Sequence, residues 1–221
     1  VAVVLLPRWA AGQADRSHPL PDAGTFWAGV AEAQTQGIDG HAPRTAHMAA
    51  FREEMLERYG VKTVAELPVS FTALALQAGE EYTNGIFDRY FGDLERQLRA
   101  QAATMRTFAL GSPTLALRAL SAGLAGTDHE HHAAFVARVE GQRRDVQRVL
   151  NGDFARNSRG QEFNYKASGE LWRQVAADPA MPADWPSVAA LYRGERVLLA
   201  AWVLGAGIVV LAAGRRLGRC A

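Results

Sequence analysis

Apolar residues recur along most of this chain with the period of a helix rather than that of a strand. Between Arg44 and Tyr59 they fall three or four positions apart, and the pattern stops at Gly60, as expected for a helix that ends before a glycine. A short connector with one turn of helix is expected before Pro68. Few strand patterns occur, so the sequence predicts a mainly α fold, a helical bundle with long helices.

The longest predicted helix runs from about Thr72 to Phe108, a stretch without proline. Its second half repeats apolar residues about every 3.5 positions, which is typical of a helix packed lengthwise against another. These positions are Phe87, Phe91, Leu94, Leu98, Met105 and Phe108, with Gln101 interrupting them. We expect a parallel stripe to continue the packing toward the start of the helix, formed by Leu74, Ala78, Tyr82 and Ile86.

In the first half of this helix the repeating positions become polar, at Gln77, Glu80 and Asn84. We call these three residues the polar seam and expect it to face solvent, a partner or a cavity. Glu80 and Glu81 fit a solvated helix face, and the alternative is a functional acidic pocket.

Ser112 followed by Pro113 predicts a helix start, with a side-chain cap and a proline at the first position. The apolar side of this helix would be Leu117, Leu120 and Leu124, with an end at Gly126. Thr127 and Glu130 then fit a capping box for the next helix. We expect that helix to bury Phe135, Val139, Val146 and Val149 and to end at Asn151 and Gly152.

The start of that second helix contains the sequence DHEHH, residues 128 to 132. Helix initiation explains both acids, because carboxylates in the first turn favour the exposed amides. The alternative is a metal site among Asp128, His129 and His132, in which His129 and His132, or Asp128 and His132, share a helix face and another histidine, His18, His41 or His47, completes the site. We favour a capped helix start with partly exposed histidines, and therefore predict no metal and no cofactor.

The C-terminal segment VLLAAWVLGAGIVVLAAG, residues 197 to 214, contains no charged residue. As a helix it would be roughly 27 Å long, close to the hydrocarbon thickness of a bilayer. Arg215, Arg216 and Arg219 follow it, which predicts a cytoplasmic C-terminus by the positive-inside rule. A buried core helix is the alternative, although such a helix is seldom apolar on all sides.

The domain organisation follows from this membrane helix. We expect the end of a preceding membrane span or a signal segment at 1–12, and an extracytoplasmic helical domain at 13–185. A proline-rich linker at 178–186 leads to the transmembrane helix at 186–216, which is predicted to run without a break, and a cytoplasmic tail follows at 217–221. Trp185 and Tyr192 are candidate anchors at the membrane interface, with Trp202 deeper; ordinary packing under the domain is the alternative for these aromatic residues.

Composition removes several functional classes. The 221 residues carry a formal net charge of +1 without a clustered basic face, so we expect no nucleic-acid partner. The single cysteine, Cys220, allows no disulfide within the chain. The motifs G-x-S-x-G, G-x-x-x-x-G-K-[ST] and H-E-x-x-H do not occur, so we expect no enzyme and no ATPase in this chain.

Several segments in succession resemble a bacterial family of ABC-2-type ABC transporter permeases with a large extracytoplasmic domain of uncharacterised role. The segments are LQAGEEYTNGIFDRYFG (76–92), SPTLALRALSAGLAGTDHEHHAAF (112–135), EGQRRDVQRVLN (140–151) and LW (171–172), followed by the terminal membrane helix. The most specific element includes His131 and His132. The resemblance implies a bacterial inner-membrane subunit, with ATP hydrolysis on a separate cytoplasmic subunit.

Two functional hypotheses follow. In the first, the chain is a permease subunit, or a fragment of one, whose outer domain serves gating, cargo or partner docking. Its partners would be the ATP-binding ABC subunit, other permease subunits or a homo-oligomer, and the lipid bilayer. In the second, the chain is a membrane-anchored extracytoplasmic metal-binding or sensor protein built around Asp128, His129 and His132.

Overall fold

A computed structural model describes residues 2–38, 42–175 and 185–217 of the chain. Every regular element in these ranges is helical, which confirms the predicted mainly α fold. Two single 3-10 turns occur, at Val64–Glu66 and Glu162–Asn164. The α-helices in chain order are α1 (Ala2–Ser17), α2 (Ala23–Gln36), α3 (Arg44–Tyr59), α4 (Phe71–Phe108), α5 (Pro113–Leu124), α6 (His129–Asn157), α7 (Gly169–Gln174), α8 (Trp185–Leu191) and α9 (Arg193–Leu217).

The helices predicted in the first half of the chain are confirmed. α3 ends at Tyr59 because Gly60 takes up a left-handed conformation, with φ of 64°, and its N–H bonds back to the carbonyls of Leu56 and Glu57. The expected helical turn before Pro68 is the first 3-10 turn. α4 is one continuous helix of 38 residues, in agreement with the stretch without proline.

α5 begins at Pro113 as predicted, but its cap and its buried side differ from the prediction. Ser112 is the N-cap residue, yet its buried hydroxyl has no hydrogen-bond partner among the described residues. Leu117 and Leu124 are 57% and 50% exposed, and the buried positions are Ala116 and Gly123. Small residues therefore form the contact side of α5, because they allow neighbouring helices to approach closely.

α6 also differs from the prediction at both ends. Its N-cap is Asp128 rather than Thr127, and the Asp128 carboxylate accepts a hydrogen bond of 2.7 Å from the N–H of His131. The helix passes through Gly152 and ends at Asn157. The expected buried face is only half right, since Phe135 and Val139 are exposed whereas Val146 and Val149 are partly buried.

The chain reaches its last helix through a break of one residue at Tyr192, so the expectation of an unbroken helix from Pro186 is wrong in this detail. The break is slight. The N–H of Tyr192 still donates to the carbonyl of Val188 at 2.9 Å, and the N–H of Arg196 donates to the carbonyl of Tyr192 at 3.1 Å. The linker predicted at 178–186 lies mostly outside the described residues, as does the tail beyond residue 217.

α9 is the one described helix that is long and apolar enough to span a membrane. Its most apolar window of 18 residues has a mean hydropathy of 2.4, and none of that window is buried. Every residue from 200 to 217 is exposed, so α9 is not the buried core helix that was the alternative. Apolar surface left in water costs about 25 cal/mol per Å², so this helix requires an apolar surrounding.

Contacts between Cα atoms divide the chain into two compact units. Unit 1 comprises Val1–Leu20, Glu95–Phe135 and Ala180–Ala221. Within it, α5 packs against α1, α8 and, most extensively, α9. The ring of Trp9 on α1 meets Phe108 at the end of α4 edge-on, with 4.9 Å between centroids.

Unit 2 comprises Pro21–Leu94 and Val136–Pro179. Its core contains Ala33, Tyr82 and Ile86, with Ile38 and Tyr90 packed against them. The predicted stripe is confirmed on α4 at Ala78, Tyr82 and Ile86, which are buried, whereas its fourth member, Leu74, is only partly buried. The neighbouring phenylalanine stripe is not fully buried: Phe91 is 44% exposed and packs edge-on against Phe26 and Trp27 of α2.

Candidate functional site

Tyr192, at the break between α8 and α9, is the centre of a polar cluster in unit 1. Its side chain is 2% exposed and its ring lies against Gly123 of α5. A Cβ atom on Gly123 would come within 2.8 Å of the ring atom Cδ2, so the ring occupies the space that a side chain would need. Tyr192 is therefore packed inside the protein, which agrees with ordinary packing under the domain, the alternative to an anchor at the membrane interface.

Asp128 is the hydrogen-bond partner of this tyrosine. The Tyr192 hydroxyl donates to one carboxylate oxygen, while the other oxygen accepts from the N–H of His131 and lies 2.7 Å from His131 Nδ1. Burial raises the pKa of Asp128, but the hydrogen bonds from Tyr192 and His131 outweigh it and bring the pKa below its ordinary value. Burial, together with the same hydrogen bond, raises the pKa of Tyr192.

An ion pair between Arg106 and Glu195 completes the cluster. Arg106, near the end of α4, lies with its Nε 3.2 Å from Oε1 of Glu195, in the first turn of α9. Its guanidinium carbon is 5.7 Å from the centroid of the Tyr192 ring, a distance that permits a cation–π interaction. The side chain of Glu195 is only 11% exposed, so its charge requires this partner. We call Arg106, Asp128, His131, Tyr192 and Glu195 the junction cluster.

The structure separates the three candidate metal ligands. His129 Nε2 lies 2.9 Å from Oε1 of Glu95 on α4, Asp128 pairs with His131, and His132 is exposed. Asp128 and His132 do not share a site, because the carboxylate turns back over the helix N-terminus as its cap. Among the residues that the structure describes, no group of three or more His, Cys, Asp or Glu side chains is placed to hold a metal ion.

The polar seam of α4 lies in unit 2, and α6 supplies its partners. The amide of Asn151 donates to Gln77 at 3.0 Å. Arg143 donates to Asn84 at 2.6 Å and to Glu80 at 3.4 Å. Glu80 also lines a shallow cleft with Gln34, Arg44 and Thr83, and it is the one acidic side chain among the described residues of that lining. Glu81 is exposed and accepts a hydrogen bond from Gln77 at 2.8 Å. The seam is thus mainly a polar contact between two helices.

Charged side chains of α6 form further contacts with α4 and with one another. Glu140 accepts hydrogen bonds from Arg143 at 2.7 Å and from Arg144 at 2.8 Å. Arg144 also forms a bidentate salt bridge with Asp88 of α4, with distances of 2.6 and 2.9 Å. The hydrogen bond from Arg143, with that from Arg144, lowers the pKa of Glu140 to about 2 despite partial burial. The hydrogen bond to Glu140, with that to Glu80, raises the pKa of Arg143, and the hydrogen bonds to Asp88 and Glu140 raise the pKa of Arg144. Each of these side chains remains partly accessible to water.

Most residues of the junction cluster cannot be predicted from the sequence pattern. Arg106 is far from Tyr192 and Glu195 in the chain, and nothing in the local patterns indicates that they meet. A partial signal exists for Arg143 and Arg144, because the acidic Glu140 lies three and four positions before them on the same helix face. A weaker sequence signal exists for Glu195, because an acidic residue just before an apolar span requires a partner or water.

Comparison with known proteins identifies the family. A family model described as a domain of unknown function (DUF3526) matches residues 25–176, which is more than half of the chain. The chain belongs to this family. The DUF3526 match includes the polar seam, Asp128 and the three neighbouring histidines, but not Tyr192, Glu195 or α9. No curated protein and no solved structure matches the chain.

Proposed function

We propose that this chain is the permease subunit, or part of the permease subunit, of a bacterial ABC transporter. The observation that supports this most is α9, an apolar helix with no buried residue in its central window and with Arg215 and Arg216 at its end. A helix of 25 residues is about 37 Å long, enough to cross the hydrocarbon layer. The residue segments that resemble ABC-2-type permeases add the transporter class to this membrane helix.

In this proposal the helical domain stands on the extracytoplasmic side of the inner membrane. The arginines at the end of α9 favour a cytoplasmic C-terminus, because positively charged residues are retained on that side. ATP would be hydrolysed on a separate cytoplasmic subunit. The outer domain would then serve gating, cargo binding or partner docking.

The junction cluster suits a gating role. Asp128 belongs to the start of α6, Gly123 to α5 and Arg106 to α4, and all three contact the tyrosine or the glutamate at the base of α9. Because these contacts are buried or charged, a tilt or rotation of α9 would have to move the three helices with it or break the contacts. In this proposal the cluster couples motion of α9 to α4, α5 and the start of α6.

Co-isolation from the native operon tests the transporter class. Affinity-tagged chain, solubilised in mild detergent, is expected to bring down an ATP-binding ABC subunit encoded beside it. A matched sample in which residues 193–217 are replaced by an unrelated membrane helix controls for nonspecific association of membrane proteins. Repeated isolation of the chain without any ATP-binding subunit would count against the proposal.

The native Cys220 tests the topology. In intact spheroplasts a membrane-impermeant maleimide is expected to leave Cys220 unlabelled, and labelling should appear after permeabilisation. In the Cys220→Ser background, a cysteine at the exposed Ser168 in unit 2 should be labelled in intact spheroplasts. The reverse pattern would overturn the extracytoplasmic placement.

A further inference from the structure

The connection between α4 and α5 has an unusual surface for a part of a protein that faces water. Residues 107 to 117, TFALGSPTLAL, contain no charge and are bounded by Arg106 and Arg118. Leu110 is 71% exposed and Leu117 is 57% exposed. We call residues 107–117 the hairpin tip.

Two contacts fix the direction in which the hairpin tip points. Arg106, just before it, pairs with Glu195, and Gly123, near the end of α5, lies against Tyr192. Arg106 therefore meets the first turn of α9, and the end of α5 meets the residue at the break just before α9. Because α5 packs much more extensively against α9 than against α8, the helix must run beside α9 and carry the tip toward the apolar segment.

Leu198 and Leu199 are partly buried, whereas every residue from Ala200 to Leu217 is exposed. This difference indicates that a neighbouring helix packs along the first turns of α9 only. The 12 residues of α5 span about 18 Å, against roughly 30 Å for the hydrocarbon layer. Because Gly123, near the end of α5, lies beside Tyr192, about 7 Å before the apolar span that begins near residue 197, the tip reaches about 10 Å into that span, roughly a third of the hydrocarbon thickness.

A third helix borders the tip. A Cβ atom on Gly111 would lie 3.0 Å from Cδ2 of Leu6 on α1, and Trp9 of the same helix packs on Phe108. The start of α1 is itself apolar, and Leu5 is 57% exposed. The exposed apolar surface therefore continues from α9 over the hairpin tip to Leu5 on α1.

The backbone of the turn fits an apolar surrounding. Donors around it are paired internally: Ala109 N–H with the carbonyl of Arg106 at 3.1 Å, Gly111 with Phe108 at 3.1 Å, and Ser112 with Ala109 at 3.2 Å. The next residue, Pro113, has no N–H to satisfy. Non-helical backbone at membrane depth is tolerated only where its polar groups find such partners.

We propose that the hairpin tip is inserted into the lipid acyl chains of the bilayer that α9 crosses, lying beside α9 as a re-entrant element. Arg106 and Arg118 mark the level of the phosphate headgroups, where guanidinium groups are well solvated. Lipid is favoured over a protein partner because the exposed surface is continuous with that of α9 and carries no charge or polar side chain beyond short hydroxyls. The inference rests on the proposed membrane function only in requiring that α9 spans the bilayer.

Depth-dependent fluorescence quenching in the full chain tests the insertion. In the Cys220→Ser background, single cysteines replace Leu110, Leu117 and Leu124, and each is labelled with a small environment-sensitive fluorophore. All three positions are at least half exposed, so labelling there leaves the core intact. The labelled chains are reconstituted into phosphatidylcholine and phosphatidylglycerol vesicles that carry a nitroxide either in the headgroup or deep in the acyl chain.

Quenching by the deep nitroxide is expected to increase from Leu124, beside the junction, through Leu117 to Leu110. A label at Val209, in the middle of α9, is the reference for full insertion. If Val209 is deeply quenched and Leu110 is not, the hairpin tip lies outside the lipid and the inference is wrong, whereas α9 remains a membrane helix. If Val209 itself escapes quenching, the membrane function proposed above fails.

A covering protein would give a different result from lipid. A label at Leu110 that shows a blue-shifted emission but no quenching by either nitroxide would mean that a second copy or another protein covers the tip, and would overturn the lipid assignment. Circular dichroism of each labelled chain, matched to that of the Cys220→Ser parent, excludes unfolding as the cause of a changed signal.

Discussion

The junction cluster and the polar seam both connect α4 to other helices through charged and polar side chains. They differ in how far those side chains are shielded from water. In the junction cluster, Tyr192 and Asp128 are shielded from water, and Glu195 is almost buried. In the seam and among its partners on α6, Glu80, Glu140 and Arg143 each keep about a third or more of the side chain exposed.

Burial decides what each arrangement contributes. A buried polar group that loses its partner costs about 1–3 kcal/mol, because water does not replace the missing hydrogen bond. An exposed ion pair contributes only about 0.2–1 kcal/mol, because water and salt compensate for much of its loss. The junction cluster should therefore respond strongly to single substitutions, and the seam only weakly.

The largest effect is expected for Asp128→Ala. This change removes the cap of α6 and leaves the buried hydroxyl of Tyr192 without an acceptor, which together should reduce local stability by about 2–4 kcal/mol. Hydrogen exchange at the first turns of α6, measured by mass spectrometry in detergent, would report the loss.

Asp128→Asn is the matched control. Its side-chain oxygen still caps the helix, and its NH2 group, in the place of the second carboxylate oxygen, can donate to the Tyr192 hydroxyl oxygen, so part of the protection should remain. Equal exchange in the Ala and Asn variants would show that the cap and the tyrosine bond do not stabilise this region.

Gly123→Ala is expected to have the next largest effect. The added methyl group would come within 2.8 Å of the Tyr192 ring, and overpacking of this kind costs about 1–3 kcal/mol. Gly141→Ala on α6 is the control, because a Cβ there meets nothing within 4 Å and should instead stabilise the helix by about 0.5–1 kcal/mol. Thermal melts followed by circular dichroism should move in opposite directions for the two variants; a shift in the same direction would contradict the tight packing of Tyr192 on α5.

The period of apolar residues was sufficient to predict α3, α4 and the apolar helix near the C-terminus, because those features depend on local pattern. It failed where two local signals compete: Thr127 and Asp128 are both good caps, and the aspartate prevails in the fold, where it also accepts from Tyr192. It also failed at Gly152, where the contact of Asn151 with Gln77 helps to hold α6 together beyond a pair of residues that often ends a helix.

The candidate sites were predictable only in part. The polar seam was visible because its residues share one face of one helix. The junction cluster was not, because its contacts join residues 64 and 89 positions apart, such as Asp128 with Tyr192 and Arg106 with Glu195. Leu117 and Leu124 were placed on the buried side of α5 because apolar residues usually face a core, whereas here small residues make the helix contacts.

A smaller effect, dependent on pH, is expected in the seam for Glu140→Gln. The native pKa of about 2 lies below the ordinary value of 4.5, so the ionised group stabilises the fold above pH 4.5, and this contribution is lost as the pH falls toward 2. At neutral pH the variant should be about 1 kcal/mol less stable than the parent, and the difference should disappear in acid. Urea denaturation across this range would measure it; a difference that does not change with pH would mean that the charge of Glu140 is not the cause.

The smallest expected effect is the coupling between Arg144 and Asp88. Their bidentate geometry, with distances of 2.6 and 2.9 Å, is favourable, but the side chain of Asp88 is 59% exposed. The coupling energy should therefore be about 0.2–1 kcal/mol and should decrease with added salt. A double-mutant cycle with Arg144→Gln and Asp88→Asn, measured at low and high salt, isolates this term from the bond of Arg144 to Glu140. A coupling of several kcal/mol that salt leaves unchanged would mean that the seam is shielded from water in the assembled protein, and it would then belong with the junction cluster rather than in contrast to it.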